Sequence, residues 1–259
     1  MKINFGITAY PGESLANFGK FENDNLNFIE YKVNSIKDAK ACKDSKKGLI
    51  AHAPDPQENK WMDIIYEISQ SKYISYVNVH ARPSDEYILC DCGMRIMIMN
   101  NLDNICYHCN RTLDKDDKNN FKSVIEKLNK ASKILNKTNK KLLVENTYEP
   151  PILMKKIMTE LPECGFTFDV GHSLLYSYSP IDYIRILSNR IEHLHLHDNM
   201  GGFTENCHDL HSPCGTGIAP WNSIINILKN INFNGTATFE CDIGLAENWF
   251  YEFKNKLFN

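Results

Sequence analysis

Five of the nine histidines fall between Ile191 and His211, in Ile-Glu-His-Leu-His-Leu-His-Asp-Asn followed by His-Asp-Leu-His. Imidazole is the commonest metal ligand, so this density predicts metal chemistry. The first half alternates with period two: Ile191, His193, His195 and His197 share one side of a strand, and Leu194 and Leu196 the other. Five further apolar runs end on a potential ligand in the same phase, at His52, His80, Glu145, Asp169 and Glu240. In each, the apolar residue just before the ligand points away from it, as it does where helices cover a sheet and polar atoms converge within. Six strands therefore deliver His, Glu or Asp at their C-terminal ends.

A second constellation is sulfur-based. Cys90-Asp-Cys92 is followed, after thirteen residues, by Cys106-Tyr-His-Cys109. Four thiolates in two knuckles predict a closed tetrahedral zinc site with a structural role, a ribbon over residues 87–112, with Gly93 and Asn110 suited to the turns around the metal. Its place near the C-terminal end of a ligand-bearing strand also allows it to reach substrate. Cys42, Cys164, Cys207, Cys214 and Cys241 lack paired spacing and read as packing or loop thiols.

Positioning these groups requires a regular frame. Strand patterns span Ile3 to Thr8, Asn27 to Val33, Gly48 to His52, Tyr76 to His80, Lys141 to Glu145, Gly165 to Asp169, Ile191 to His195 and Gly235 to Glu240. Helical patterns separate most of them: Trp61 to Ser69, Phe121 to Leu135, Pro151 to Thr159, Pro180 to Ser188, Trp221 to Lys229 and Glu247 to Leu257. Eight alternating units predict a parallel α/β sheet closed into a (β/α)8 TIM barrel, residues 1–259 as one domain, with the ribbon inserted after strand 4. The 259 residues suit such a barrel, which typically needs about 250. Function then belongs on the loops at the C-terminal face, where every ligand named above falls.

Composition narrows the classes. A net charge of -3 gives no global attraction to nucleic acid. The absence of a leader-like start or an apolar run of about 18 residues predicts a protein with no membrane partner. The odd cysteine count and metal-type spacing predict a reducing, cytoplasmic setting.

The segments Val-Glu145-Asn, Phe-Asp169-Val-Gly-His172, His195-Leu-His-Asp-Asn, Asp209-Leu-His211-Ser-Pro-Cys-Gly-Thr-Gly and Phe-Glu240, in this order, resemble the xylose isomerase-like TIM barrels. This superfamily holds endonuclease IV of AP endonuclease family 2 and many sugar and sugar-phosphate isomerases and epimerases. The resemblance implies a metal site of Glu145, Asp169, His195 and Glu240. In the endonuclease IV pattern His52 and His80 join a bridging Glu145 at a second zinc, and His172, Asp209 and His211 hold a third. Three zinc ions can activate water, bind non-bridging phosphate oxygens and stabilise a leaving alkoxide, with Glu145 and Glu240 central to catalysis. The expected activity is zinc-dependent hydrolysis of a phosphodiester, with damaged DNA as partner and up to three zinc ions besides the structural one. The alternative is a sugar or sugar-phosphate isomerase or epimerase using one Mn or Mg, in which Glu145 and Glu240 move the proton. A third reading is a nucleic-acid-binding module whose ribbon does the binding.

Departures from the endonuclease bear on substrate. His52 is followed by Ala-Pro-Asp-Pro-Gln, with no apolar wedge, His80 by Ala-Arg-Pro-Ser, and the first loop, Ala9-Tyr-Pro-Gly-Glu, has no basic character. His195-Leu-His-Asp-Asn is closer to the sugar-isomerase branch. His193 and His197 match no ligand of the pattern and read as supporting or core residues. His108 and His208 read as loop residues, and Gly215-Thr216-Gly217 as a turn permitting close backbone approach. The lysine-rich stretch from Lys115 to Lys141 reads as a solvated helix face, with Arg82, Arg95 and Arg111 better placed for phosphate contacts. Tyr10, Tyr87 and Tyr107 are candidates for stacking on a sugar or base.

Overall fold

A computed structural model describes residues 2–12, 26–45, 47–81, 87–89, 95–97, 121–147, 149–175, 178–201, 209–241 and 255. Eight strands form a closed, all-parallel barrel: β1 (Lys2–Ala9), β2 (Leu26–Lys32), β3 (Gly48–His52), β4 (Ile74–His80), β7 (Lys141–Glu145), β8 (Gly165–Asp169), β9 (Ile191–Leu196) and β10 (Asn234–Phe239). The predicted strands are all present, with ends displaced by at most two residues. Between β4 and β7 lies an antiparallel hairpin, β5 (Tyr87–Leu89) with β6 (Arg95–Met97). Cys90, Cys92, Cys106 and Cys109 lie outside the described residues, as do Cys207, Arg82, Arg111, Tyr107, His108 and His208.

The helices are α1 (Ile36–Ala41), α2 (Trp61–Ser69), α3 (Phe121–Asn136), α4 (Pro151–Glu160), α5 (Val170–Leu175), α6 (Pro180–Leu187) and α7 (Trp221–Asn230). Ser35 caps α1 by accepting from the Asp38 amide, while Pro151 and Pro180 open α4 and α6, where a missing N–H costs nothing. Two helices have no counterpart in the sequence reading: α1 and α5 each span six residues, under two turns, too short for a hydrophobic period to register. The anticipated helix from Glu247 to Leu257 lies outside the described residues apart from Asn255. Among the described residues no helix is long and apolar enough to cross a membrane.

The outward residues of the strands, such as Val77, Val79, Leu142, Val144, Phe166 and Phe168, are sealed under the helix layer with Ile65, Ile68, Leu128 and Tyr183. This apolar shell fixes strand phase, because a slip of one residue would turn every apolar side chain inward and every ligand outward. Register then sets neighbours within the barrel: Lys32 beside His52, His80 beside Glu145, Asp169 beside His195, and Thr238 beside His195. At the opposite end a basin of about 840 Å³ opens among Lys2, Asn4, Phe28, Tyr76, Lys140 and Thr236, and no candidate ligand lines it. Lys130, Lys133 and Lys137 lie exposed on and just beyond α3, as a solvated face requires.

Leu128, fully buried in α3, tests the shell. Leu128→Ala is expected to destabilise the protein by about 3 kcal/mol, read from the urea midpoint.

Candidate metal centre

All nine ligand positions anticipated from sequence converge at the C-terminal mouth. Deepest are Glu145, Asp169, His195 and Glu240. His195 Nδ1 lies 3.4 Å from Glu145 Oε1, 3.4 Å from Asp169 Oδ2 and 3.3 Å from Glu240 Oε2. Beside them, His52 Nε2 stands 3.2 Å from Glu145 Oε2 and His80 Nε2 3.3 Å from Glu145 Oε1, so one carboxylate serves two groups of donors. Toward the rim, His172 Nε2 and His211 Nε2 stand 3.0 and 2.8 Å from Asp209 Oδ2.

Residues outside the predicted ligand set, Glu30, Lys32 and His197 among them, belong to this network. Glu30, on β2 and fully buried, accepts from His195 Nε2 at 3.0 Å and from His193 Nε2 at 3.0 Å, while Thr236 Oγ1 stands 2.7 Å from His193 Nδ1. A histidine that spends its Nε2 proton on Glu30 offers Nδ1 as a lone pair, which orients His195 toward Glu145, Asp169 and Glu240. Lys32 donates to Glu240 Oε1 at 3.0 Å. His197, fully buried, shares a donor group with His172, Asp209 and His211, whereas His193 is held inside the barrel as a supporting residue. Glu30 and Lys32 were legible: Phe28-x-Glu30-x-Lys32 is a polar-ended strand in the same phase as the other six.

Supporting contacts fix the rest. Asn78 Nδ2 donates to Glu145 Oε2, His80 Nδ1 pairs with Asp55 at 3.0 Å, and Asn199 Nδ2 donates to Asp209 Oδ1 at 2.9 Å. Asp198 accepts from the amides of Gly215 and Ala219 and from Trp221 Nε1, pinning the loop that carries Asp209 and His211. Gly217 allows that loop to close, since a Cβ there would come within 2.3 Å of Asp198 Oδ1. His211 adopts φ 44°, a left-handed conformation costly for a side-chain-bearing residue, and its Nδ1 pairs with the Glu240 carbonyl at 2.7 Å.

The electrostatics are those of a cation site. Burial opposes ionisation of Glu145, but the charges of His195 and His80, with ring nitrogens of His172 and His195 within 3.4 Å of Oε1, hold its carboxyl well below the usual range. Burial opposes charge on His195 and His172 too; Glu240, Glu30 and Glu145 push the first well upward, and Asp169, Asp209 and Glu145 the second. Protons thus sit where positive charge is needed. Even so, Glu145 Oε1, His195 Nδ1 and His197 Nδ1 are buried with no hydrogen-bond partner. Such orphaned atoms are costly without a further ligand, and their N and O character fits a divalent metal such as zinc.

The chain belongs to the xylose isomerase-like TIM barrel family, whose model matches residues 90–249. Among curated proteins, MJ1614 of Methanocaldococcus jannaschii is 32% identical over 115 residues, which is 42% of this chain and 43% of that protein's length. Among solved structures, a D-tagatose 3-epimerase-like protein superposes with TM-score 0.67 at 18% identity, covering 98% of this chain and 97% of its own. The TTHB071 protein of Thermus thermophilus, from a crystal soaked with ZnCl2, gives 0.64 at 13% identity and 98% coverage of both chains. The 3-keto-D-glucoside 4-epimerase YcjR of E. coli gives 0.63 at 13%, covering 99% and 98%. At these identities the structures establish the shared fold.

Glu30 provides a test of the buried network. Glu30→Gln removes the charge that holds His193 and His195, and is expected to cost about 3 kcal/mol in chemical denaturation of the metal-free protein. An unchanged midpoint would count against the network.

Proposed function

We propose that this chain is a divalent-metal enzyme that hydrolyses a phosphodiester at the barrel mouth. The observation that carries this reading is the sharing of Glu145 between two donor groups, with His172, Asp209 and His211 forming a third beside them. Proton shuttling on a sugar needs one metal and two carboxylates, which leaves His80, Asp209 and His211 without employment. A phosphodiester presents non-bridging oxygens, a leaving oxygen and a phosphorus open to attack, and so engages several centres of positive charge.

Metal ions held by these donors would supply Lewis-acid polarisation of the phosphoryl group and charge to balance the leaving oxygen. The chain's own contribution is spacing and orientation. Glu145, tied down through Oε2 by Asn78, sets the separation of the two deeper groups, and Glu240 is steadied by Lys32. His172, Asp209 and His211 stand on the rim, the side toward which a leaving group would depart. Carboxylates of Glu30, Glu145 and Glu240 act on the buried ammonium of Lys32 and hold it in its charged form. Zinc suits the mixed imidazole and carboxylate donors, and Cys90, Cys92, Cys106 and Cys109 are assigned one further, structural zinc from their spacing. Abasic-site DNA is the first substrate to test, from the resemblance to endonuclease IV.

A second reading has its own support. Several of the solved structures similar to this chain carry names that state a sugar epimerase activity, and by that measure the comparisons favour a one-metal epimerase or isomerase acting on a small sugar or sugar phosphate. The four-donor group would hold Mn or Mg, with Glu145 and Glu240 on either side to move the proton.

Zinc-loaded protein is expected to nick a duplex carrying one abasic site, and the chelator-stripped protein and Glu145→Gln to be inactive. No nick from fully loaded protein, together with Mn-dependent interconversion of ketohexose epimers, would transfer the assignment to the second reading. Zinc binding at pH 7 is also expected to release protons, because His172, His195 and His211, the last pushed up to about 9, are protonated in the empty site and must be neutral to ligate. Calorimetric titration in two buffers of different ionisation enthalpy measures this; zero net release would contradict it.

A further inference from the structure

We infer that the basin at the N-terminal end of the barrel is a second binding site, for a phosphomonoester carried on a small organic body. It lies at the end of the barrel opposite the metal centre and does not depend on the function proposed there.

The charge comes first. Lys2, Lys140 and Lys141 line the basin, and among the described residues no carboxylate or imidazole does. Lys141 pairs with Glu192. Lys140 is different: it is only 7% exposed, yet its ammonium donates to the Thr138 carbonyl at 3.2 Å and has no carboxylate partner among the described residues. Burial pulls its pKa down, and no neighbouring charge opposes that shift. An ammonium has three N–H donors, and burying it against one neutral acceptor is costly. An anion in the basin supplies the missing counter-charge. Lys2, exposed, adds a second ammonium, in a chain whose net charge is -3.

The lining then selects the anion. A phosphomonoester carries about -1.5 to -2 at neutral pH, which matches two uncompensated ammonium groups better than a single carboxylate does. Asn27 turns Oδ1 to the Phe5 amide at 3.2 Å, which leaves the hydrogens of its Nδ2 for a phosphoryl oxygen. Below these groups the floor is apolar, made by Phe28, Leu49 and Ile50. The Phe28 ring packs edge-on to His193 with centroids 6.1 Å apart, and Gly6 gives it room, since a Cβ there would come within 2.3 Å of Phe28 Cε2. The ring thus separates the basin from the buried network under the metal centre. A volume of about 840 Å³ exceeds what phosphate alone would fill and accommodates an organic body over that floor. With no carboxylate or imidazole in the lining, the ligand is held there and not turned over.

The test is calorimetric titration of the zinc-loaded, full-length chain with phenyl phosphate, and with phenol and inorganic phosphate separately. One equivalent of phenyl phosphate should bind in the basin, inorganic phosphate should compete for it, and phenol should not bind. Lys140→Met should weaken that equivalent by at least about 10-fold, the effect of losing one hydrogen bond from a charged group. Gly48 shares the inward phase of Ile50 and His52, and a Cβ there would meet nothing within 4 Å. Gly48→Phe therefore fills the basin and should abolish the same equivalent with every lysine in place. Zinc uptake equal to that of the wild type shows that each variant folds with its mouth intact. No binding by the wild type, equal binding of phenol, or full affinity retained in either folded variant overturns the inference. Retention in both would place the phosphate at the metal centre instead. Should one variant fail to fold, the other decides by the same readout.

Discussion

The constraint on which the mouth depends is the burial of the Glu145 carboxylate. Oxygen Oε2 is satisfied by Asn78 and His52; Oε1 has His80, His172 and His195 nitrogens within 3.4 Å and no hydrogen bond from any of them. A negative group so placed is tolerated only where positive charge collects around it. Protonated histidines do this in part, and cations would do it more fully. The shape of the site follows: imidazoles from β3, β4 and β9 and from α5 surround one carboxylate at the end of β7.

Around this centre the barrel provides a layer whose task is aim. Glu30 and His193 lie inside the barrel below His195, Asp55 stands behind His80, Asn199 steadies Asp209, and Asp198 clamps the loop bearing Asp209 and His211. Glu30, Asp55 and Asn199 each spend a proton or lone pair on a candidate ligand and so decide which atom of that ligand faces the mouth. The cost is a barrel interior with Glu30, Asn78, His193 and Thr238 where aliphatic side chains usually pack. The apolar shell between strands and helices carries the stability that the interior gives up. Strain at His211 belongs to the same trade, since a left-handed histidine persists only where its surroundings hold it.

Much of this was legible in sequence, and the reasons are physical. A parallel strand buried on both faces still marks its end when an apolar residue gives way to a ligand, so His52, His80, Glu145 and Asp169 were visible from local phase alone. His172, Asp209 and His211 lie outside strands and emerged only through resemblance to a family pattern. Glu30 and Lys32 carried the same phase signal on β2, but a Glu and a Lys two apart in one strand also read as an ordinary polar edge. His197 reads from sequence as a supporting or core residue, and what it touches, the Asp169 carboxylate and the face of the His211 ring, is a matter of tertiary contact. Cys42 and Cys164 behave as packing thiols, with burial pushing them up to about 12 and about 11. The short helices α1 and α5 had too few turns to show a period.

The central claim is that Glu145 stands between separate metal positions. Anomalous diffraction at the zinc edge, from crystals of the zinc-loaded chain, tests it most directly. The account predicts three peaks at the barrel mouth: two sharing Glu145 and a third among His172, Asp209 and His211. A single peak enclosed by Glu145, Asp169, His195 and Glu240, with the other donors empty at saturating zinc, would contradict it.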